Sequence, residues 1–173
     1  MKRLIFLCGP NGIGKSTAAR ALYDQMAGSA LVDADQCRMI ACAGFPEAVI
    51  ETQRRNLCDL ICNYLACPEV RDVLLVYGLH GHRAGVLQAV LDEVRRRSGP
   101  FDDHPIVMTC SWAENLRRAR RDGRDEARVR RGLANSRSPY EGLNWPCLDV
   151  TDLTVEQTAL ALRQILAQTG NCS

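Results

Sequence analysis

The sequence predicts an α/β fold: a doubly wound, parallel, five-stranded sheet between two layers of helices, three layers in all. Two observations predict it. Short apolar segments typical of buried strands alternate with longer amphipathic segments typical of helices, and such strands form parallel sheets covered on both faces. The first apolar segment also leads directly into a glycine-rich loop and a helix. At 173 residues, the chain is expected to form one domain over residues 1–173.

The hydrophobic pattern places each element along the chain. Apolar segments predict strands at residues 2–7, 30–32, 72–77, 105–110 and 146–150. Amphipathic segments predict helices at residues 17–26, 46–66 and 83–97, a helix after Ser111, and a last one from Val155. Capping-box sequences at 111–114 and 154–157 open the last two. Ligands of such sheets bind at the carboxyl ends of the strands, so the residues just after each strand matter most.

The loop after the first strand matches the phosphate-binding pattern G-x-x-x-x-G-K-[ST] at every fixed position, with GPNGIGKS at residues 9–16. Its glycines let backbone N–H groups point into one concavity, and the next helix adds partial positive charge beneath the phosphates. The motif assigns the Lys15 ammonium to the β- and γ-phosphates of a nucleotide and the Ser16 hydroxyl to Mg²⁺. The residues expected to hold the nucleotide are Gly9, Asn11, Gly12, Ile13, Gly14, Lys15, Ser16 and Thr17.

Two carboxylates follow the second strand, in the sequence DADQCR at residues 33–38. Residues two apart in an extended segment point to the same side, so Asp33 and Asp35 are expected to share a cleft with Lys15 and Ser16. A phosphoryl-transfer site needs a carboxylate near Mg²⁺ and another that orients or deprotonates the attacking hydroxyl. The alternative is a solvated loop in which Asp35 caps the following helix.

A glycine-containing turn, GLHGHR at residues 78–83, follows the third strand. Glycines there let a substrate approach the backbone, and Gly78, His80 and Arg83 are the candidates to contact it. The alternative is an ordinary turn with exposed histidines ahead of a helix.

Positive charge is concentrated in one segment. Nine arginines lie between residues 117 and 137, against three acidic residues. An arginine at the mouth of a phosphate site can stabilise the transferred group, and helical spacing places Arg117, Arg120 and Arg121 on one face, with Arg124 a further candidate. An arginine-dense helix is equally typical of a solvated face or a nucleic-acid contact.

Overall composition argues against several other classes of protein. The net charge of +2 gives no general attraction to nucleic acid or membranes, and no apolar run reaches the ~18 residues of a membrane span. The nine cysteines form no C-x-x-C pair, and the start of the chain does not fit a signal peptide, which favours a cytoplasmic protein with reduced thiols. A zinc site at Cys58, Cys62 and Cys67 with His80 and His82 is conceivable but not expected, because zinc ligands usually come as tight pairs.

Together these motifs resemble the small P-loop kinases, which include nucleoside-monophosphate, shikimate and gluconate kinases, chloramphenicol phosphotransferase and polynucleotide 5′-hydroxyl kinase. The resemblance covers most of the chain in layout and is specific at residues 9–16 and in the Asp-x-Asp-x-x-Arg segment. Similarity to shikimate kinases implies that Asp33 holds Mg²⁺ through water and that Asp35 faces the acceptor hydroxyl. Similarity to polynucleotide kinase implies that Asp35 is the base and that Arg38 binds phosphate.

The resemblance also implies an arginine-bearing lid at about residues 117–131 and a segment beside the adenine at residues 148–151. Many relatives carry an aspartate at the end of the third strand, whereas this chain has Val76, Tyr77 and Gly78. Metal support therefore has to come from Asp33 or Asp35, or metal binding is weak.

The expected function is ATP- and Mg²⁺-dependent transfer of the γ-phosphoryl group to the hydroxyl of a small molecule. The assigned residues are Lys15, Asp35 and Arg120 for catalysis, Arg117 and Arg121 beside the nucleotide, Ser16 and Asp33 for the metal, and Asp35, Arg38, Gly78, His80 and Arg83 for the acceptor. One alternative is a nucleoside monophosphate kinase, with a phosphate acceptor among Arg38, Arg54, Arg55 and Arg83. The other is a nucleotide-binding regulatory or RNA-end-processing protein.

Overall fold

The structure, a computed structural model, describes residues 1–42, 44, 46–121 and 126–169. Five parallel strands form one sheet in the order β2-β3-β1-β4-β5. They are β1 (Arg3–Cys8), β2 (Ser29–Asp33), β3 (Asp72–Val76), β4 (Asp102–Thr109) and β5 (Cys147–Asp149). The described helices are α1 (Lys15–Tyr23), α2 (Glu47–Ala66), α3 (Arg83–Ser98), α4 (Trp112–Arg121), α5 (Glu126–Arg137) and α6 (Val155–Thr169). The predicted five-stranded parallel sheet is confirmed.

Two apolar cores lie on opposite faces of the sheet, because successive strand side chains alternate between faces. On one face, α2 and α3 pack against residues such as Leu4 and Leu75. On the other, α1 and α6 pack against residues such as Ile5 and Leu74. All four of these strand residues are fully buried. The predicted arrangement of three layers is confirmed, with β1 at the centre of the sheet.

Two element boundaries differ from the sequence pattern. Strand β4 begins at Asp102 rather than at residue 105, because its polar first residues pair in register with β1, Asp102 opposite Arg3. Helix α1 begins at Lys15 rather than at residue 17, since Gly14 takes the left-handed conformation at its N-cap, with φ of 98°. The phosphate-binding lysine therefore stands in the first turn of the helix.

Side-chain caps begin α4 and α6. At α6, the Gln157 N–H donates to Thr154 Oγ1 at 3.2 Å and Gln157 Oε1 accepts the Thr154 N–H at 2.9 Å, so the predicted capping box is complete. At α4, the Glu114 N–H donates to Ser111 Oγ at 3.2 Å, while the Glu114 carboxylate bonds arginines instead. Only the first half of that box is formed.

The arginine-rich segment covers α4 and α5. Residues 122–125 between these helices, including Arg124, lie outside the described residues. Within the described part of the chain, no helix has both the length and the apolarity to cross a membrane.

Candidate functional site

The glycine-rich loop between β1 and α1, residues 9–17, is called the P-loop below. Gly9 has φ of 146°, and a Cβ on it would lie 2.4 Å from the backbone oxygen of Met108 in β4. Only glycine fits this approach, because the neighbouring atom is backbone and cannot rotate away. Gly12 and Gly14 also take positive φ angles, of 73° and 98°. The loop thus curls tightly over the end of β1.

Lys15 is held back against the start of this loop. Its Nζ donates to the carbonyl oxygens of Gly9 and Pro10, at 2.9 and 2.8 Å. Burial lowers the pKa of the ammonium to about 8, although the nearby Asp35 and Asp33 carboxylates favour the charged form. An ammonium has three donors, so two of them fix Lys15 and the third is left for a ligand in the loop.

Ser16 and Asp33 meet at the carboxyl end of the sheet. The Ser16 hydroxyl donates to Asp33 Oδ2 at 2.7 Å, and the other carboxylate oxygen accepts the Asp35 N–H at 2.9 Å. Asp33 also stands opposite Val76 in register, on the strand beside β3. Its carboxylate therefore occupies the region where an acid at the end of β3 would lie.

Asp35 lies between two guanidinium groups. Its Oδ1 accepts from Arg38 at 2.8 Å and from Arg83 at 2.9 Å. Burial favours the neutral acid, but the charges of Arg83 and Arg38 outweigh it, so the pKa of Asp35 is lowered. Asp35 stands at the N-cap of a short 3₁₀ turn, Gln36–Arg38, yet its side chain makes no capping hydrogen bond there. The expectation that it serves only as a cap is therefore wrong.

Arg83 is a buried cation with an incomplete set of partners. Its side chain is 4% exposed, and the guanidinium lies over the Tyr77 ring, 4.7 Å from the centroid. The Tyr77 hydroxyl donates to the Arg83 carbonyl oxygen at 3.0 Å, while Arg83 Nε has no hydrogen-bond partner. A buried donor without a partner costs stability.

His80 faces the same region from the turn after β3. Its Nδ1 is buried without a partner, and burial together with the charge of Arg83 lowers the pKa of the imidazole. A Cβ on Gly78 would lie 3.2 Å from the His80 ring, so a glycine at position 78 leaves room for the ring. The imidazole is therefore neutral near pH 7 and can accept or donate one hydrogen bond.

These groups line one cavity of about 480 Å³ at the carboxyl ends of β1, β2 and β3. The structure brings most of the predicted site residues together around it: Asn11, Gly12, Gly14, Lys15, Ser16, Thr17, Asp33, Asp35, Arg38, Gly78, His80 and Arg83. Gly9 and Ile13 belong to the same loop but are buried and do not line the cavity. The catalytic and binding roles of these residues stay predictions.

Arg117 and Arg120, the predicted lid arginines whose side chains are described, do not line this cavity. Arg117 makes two hydrogen bonds of 2.6 Å to the Glu114 carboxylate, and Arg120 is exposed on the same helix. The side chain of Arg121 lies outside the described part of the structure. None of the described residues that line the cavity comes from α4. In this conformation Arg117 is held on its own helix.

Arg118, which the sequence pattern did not single out, contacts the P-loop directly. Its guanidinium donates to the carbonyl oxygens of Ile13 and Val150, both at 2.8 Å, and to Glu114 Oε1 at 2.6 Å. All three of its nitrogens are therefore used. The group spans from the P-loop to the loop after β5.

Three more side chains anchor α4, α5 and the following turn to the P-loop. Asn115 Nδ2 donates to the Asn11 carbonyl oxygen at 2.9 Å, and the Asn11 N–H donates to Ser136 Oγ at 3.1 Å. Asn115 and Ser136 are 0% and 1% exposed. Tyr140 Oη donates to the Gly9 carbonyl oxygen at 2.9 Å. No local sequence signal marks these residues, because their partners lie more than a hundred positions away along the chain.

Metal and cysteine chemistry have little support outside this cavity. Among the described residues, no group of three or more His, Cys, Asp and Glu side chains is placed to hold a metal ion. The cysteines from Cys8 to Cys147 are all free thiols. The zinc site that the sequence made conceivable is therefore not formed by the described residues.

Comparison with solved structures supports the fold. The tunicamycin resistance protein of Deinococcus radiodurans matches 98% of this chain and 96% of its own, with a TM-score of 0.66 and 18% identity. The APS kinase of Mycobacterium tuberculosis in complex with AMPPNP and APS matches 96% and 97%, with a TM-score of 0.62 and 22% identity. Shikimate kinase from Aquifex aeolicus matches 99% of both chains, with a TM-score of 0.63 and 14% identity. No protein-family model and no curated protein matches the sequence. At these identities the likeness shows the fold alone.

Proposed function

We propose that this protein is an ATP-dependent kinase that transfers the γ-phosphoryl group to a hydroxyl group of a small, negatively charged molecule. One observation carries the proposal. The P-loop and the Asp35 carboxylate, which is held by Arg38 and Arg83, line the same cavity. A phosphate donor and a hydroxyl acceptor bound there would meet at one place. Solved structures of similar fold include a sugar kinase, a gluconokinase, an APS kinase and shikimate kinase, which agrees with this class of reaction.

The P-loop would hold the phosphates of ATP. Gly12, Gly14, Lys15 and Ser16 line the cavity, where their backbone N–H groups would bind phosphate oxygens. The third donor of Lys15 would reach the β- and γ-phosphates. The flat face of Arg118, fixed by its three partners, would cover the base beside Val150.

Mg²⁺ would be held by Ser16 and Asp33, whose oxygens lie 2.7 Å apart. Two hard oxygen donors, with no third ligand among the described residues, suit Mg²⁺, which usually keeps several waters and binds phosphate oxygens directly. When bound, the ion would neutralise charge that develops on the β- and γ-phosphate oxygens. Asp33 and Ser16 would hold the ion next to the P-loop.

Asp35 would orient the acceptor hydroxyl. Its lowered pKa makes it a weak base, but an ionised carboxylate is a strong hydrogen-bond acceptor that aims the hydroxyl oxygen at the phosphorus atom. As the new P–O bond forms and ADP leaves, the hydroxyl proton passes to Asp35 or to water. Loose transition states of phosphoryl transfer need orientation more than strong base catalysis, so this carboxylate suits the task.

Arg38 and Arg83 would bind an anionic group of the acceptor. Arg83 Nε and His80 Nδ1 are both buried without partners beside Asp35, which is a set of groups that a carboxylate or phosphate could satisfy. A nucleotide phosphate as the acceptor is less favoured. Arg54 and Arg55, which that alternative needs, are paired with Glu51 on α2. Asp35 would also repel a phosphate acceptor at the point of attack.

Coupled ADP release across a panel of acceptors tests the proposal. The panel holds sugar acids, shikimate-like alcohols, nucleosides, nucleoside monophosphates, aminoglycosides and 5′-hydroxyl oligonucleotides. We expect one class of anionic alcohol to stimulate ADP release, and Asp35→Asn to lower turnover by ~10²-fold or more while ATP still binds. Lys15→Met should abolish transfer. Equal turnover in Asp35→Asn would remove this residue from the mechanism.

The nucleic-acid alternative has its own signature in the same panel. If an oligonucleotide is the best acceptor, its affinity should fall steeply as salt is raised, because arginine–phosphate contacts release counterions. Oligonucleotide binding that is absent or insensitive to salt would reject that alternative.

A further inference from the structure

One tyrosine hydroxyl joins the two halves of the cavity. Tyr140 lies at the end of a 3₁₀ turn, Ser138–Tyr140, directly after α5. Its Oη donates to the Gly9 carbonyl oxygen and accepts the Leu79 N–H, both at 2.9 Å. Gly9 begins the P-loop, and Leu79 lies in the turn that carries His80. A single group therefore touches the nucleotide half and the acceptor half of the site.

The direction of these two hydrogen bonds is fixed. The Tyr140 ring packs against the core beneath α2 and α3, and burial raises the pKa of its hydroxyl to about 12. The group stays protonated at neutral pH and has one hydrogen to donate. Since that hydrogen goes to Gly9, the oxygen is left to accept from Leu79.

The chain of hydrogen bonds continues to Lys15. The Gly9 carbonyl oxygen accepts from Lys15 Nζ as well as from Tyr140 Oη, both at 2.9 Å. Gly9 cannot shift toward β4, because it already lies against the Met108 backbone. Lys15 and Tyr140 both donate to this one oxygen, so their hydrogen bonds compete, whereas the Leu79 and Tyr140 bonds are in series and reinforce each other. A phosphate that draws the Lys15 ammonium away from Gly9 therefore strengthens the Tyr140 bond to Gly9 and makes Tyr140 Oη a better acceptor for the Leu79 N–H.

We propose that Tyr140 is a positioning residue that couples the P-loop to the turn after β3. A nucleotide that draws the Lys15 ammonium toward its phosphates strengthens the Tyr140 bonds to Gly9 and Leu79, and this orders the turn that carries His80 before the acceptor binds. The inference rests on the proposed function in one respect, that a nucleotide occupies the P-loop. It does not depend on which acceptor the protein uses.

Amide hydrogen exchange of the purified protein, followed by NMR, tests the coupling. In the wild-type protein, saturating Mg²⁺ and AMPPNP should slow exchange of the Leu79 amide by about threefold or more, since a tightened hydrogen bond opens less often. In Tyr140→Phe the nucleotide should still bind within about tenfold of wild type, the scale of one neutral hydrogen bond. Slowing at Leu79 should then be absent, while amides of the P-loop are still protected.

Tyr64→Phe is the matched control. Tyr64 packs against the same core as Tyr140, on α2. Within the described part of the chain, no hydrogen bond joins its hydroxyl to the P-loop. In Tyr64→Phe, AMPPNP should slow exchange of the Leu79 amide as it does in the wild-type protein.

The outcomes separate the two proposals. If the wild-type protein does not bind AMPPNP, the proposed function fails and the coupling falls with it. If AMPPNP binds but Leu79 exchange in the wild-type protein does not change, the coupling alone is overturned, whatever the variants do. A Tyr140→Phe protein that still slows Leu79 exchange on nucleotide binding would also overturn it.

Discussion

Replacing Arg83 with methionine should abolish transfer to anionic acceptors without lowering the free energy of unfolding. Its side chain is 4% exposed, whereas that of its partner Asp35 is 64% exposed, so water screens one member of the pair and not the other. Removing a cation from water costs several kcal/mol even after relaxation. The hydrogen bond to Asp35 returns about 1 kcal/mol once solvent screening is considered, and the Tyr77 face about 1 kcal/mol more. The net contribution of Arg83 to the stability of the fold is therefore close to zero or unfavourable.

We therefore expect Arg83→Met to leave the free energy of unfolding unchanged or to raise it by up to about 2 kcal/mol. Asp35→Ala should have the opposite effect and lower it by about 1–2 kcal/mol, because Arg83 then stays buried with neither Nε nor its outer nitrogen paired to an acid. Urea titrations with unchanged m-values would measure both. Asp24→Ala is the matched control, since its pair with Arg20 is exposed and should change stability by less than about 0.5 kcal/mol.

A loss of more than about 2 kcal/mol in Arg83→Met would refute this reasoning. Arg83 would then be a structural residue, and its buried, partly unpaired guanidinium would no longer argue for an anionic acceptor. The same variant should abolish transfer to anionic acceptors if the account is right.

Two further predictions concern the P-loop. Nucleotide affinity should depend on the protonated form of Lys15. The pKa of Lys15 in the free protein is about 8, and bound phosphates raise it. ADP should therefore bind with full affinity below pH 8, and its affinity should fall by up to about tenfold per pH unit above pH 8. Lys15→Arg, which stays charged, should show no such loss in calorimetric titrations at pH 7 to about 9.5, and an equal loss in both proteins would assign the effect to other groups. Gly9→Ala should destabilise the protein by about 2–4 kcal/mol, because the new Cβ meets the Met108 backbone at 2.4 Å, whereas Gly85→Ala in α3, with open space around it, should stabilise by about 0.5–1 kcal/mol. Equal stability of both alanine variants in thermal unfolding would contradict the packing described for Gly9.

The parts of the site that follow from local sequence could be predicted. The glycine pattern and Lys15 set the P-loop because the loop geometry depends on neighbouring residues. Asp33 and Asp35 line the same cavity as the P-loop because Asp33 ends a strand of the parallel sheet and Asp35 follows it, and strand ends of such a sheet lie along one edge. Burial of Arg83 against Tyr77 could not be predicted, since its place depends on how α3 packs on the sheet.

Several contacts with the P-loop come from residues far away in the sequence and could not be predicted from it. Tyr140 and Ser136 meet the P-loop across 131 and 125 positions, and Asn115 and Arg118 across 104 and 105. Such pairs depend on tertiary packing and leave no period or spacing in the sequence. The place of Arg117 was predictable in principle, because Glu114 stands three residues before it on one helix face, where opposite charges pair.

The most direct test of the account is to follow labelled γ-phosphate from ATP into product. The purified protein with Mg²⁺ and ATP is given pairs of alcohols that differ only in whether they carry a carboxylate or phosphate group. The account predicts a phosphate ester on an anionic alcohol, none on its neutral partner, and loss of the product in Asp35→Asn. Label that appears only in inorganic phosphate, or equally on neutral and anionic alcohols, would contradict it.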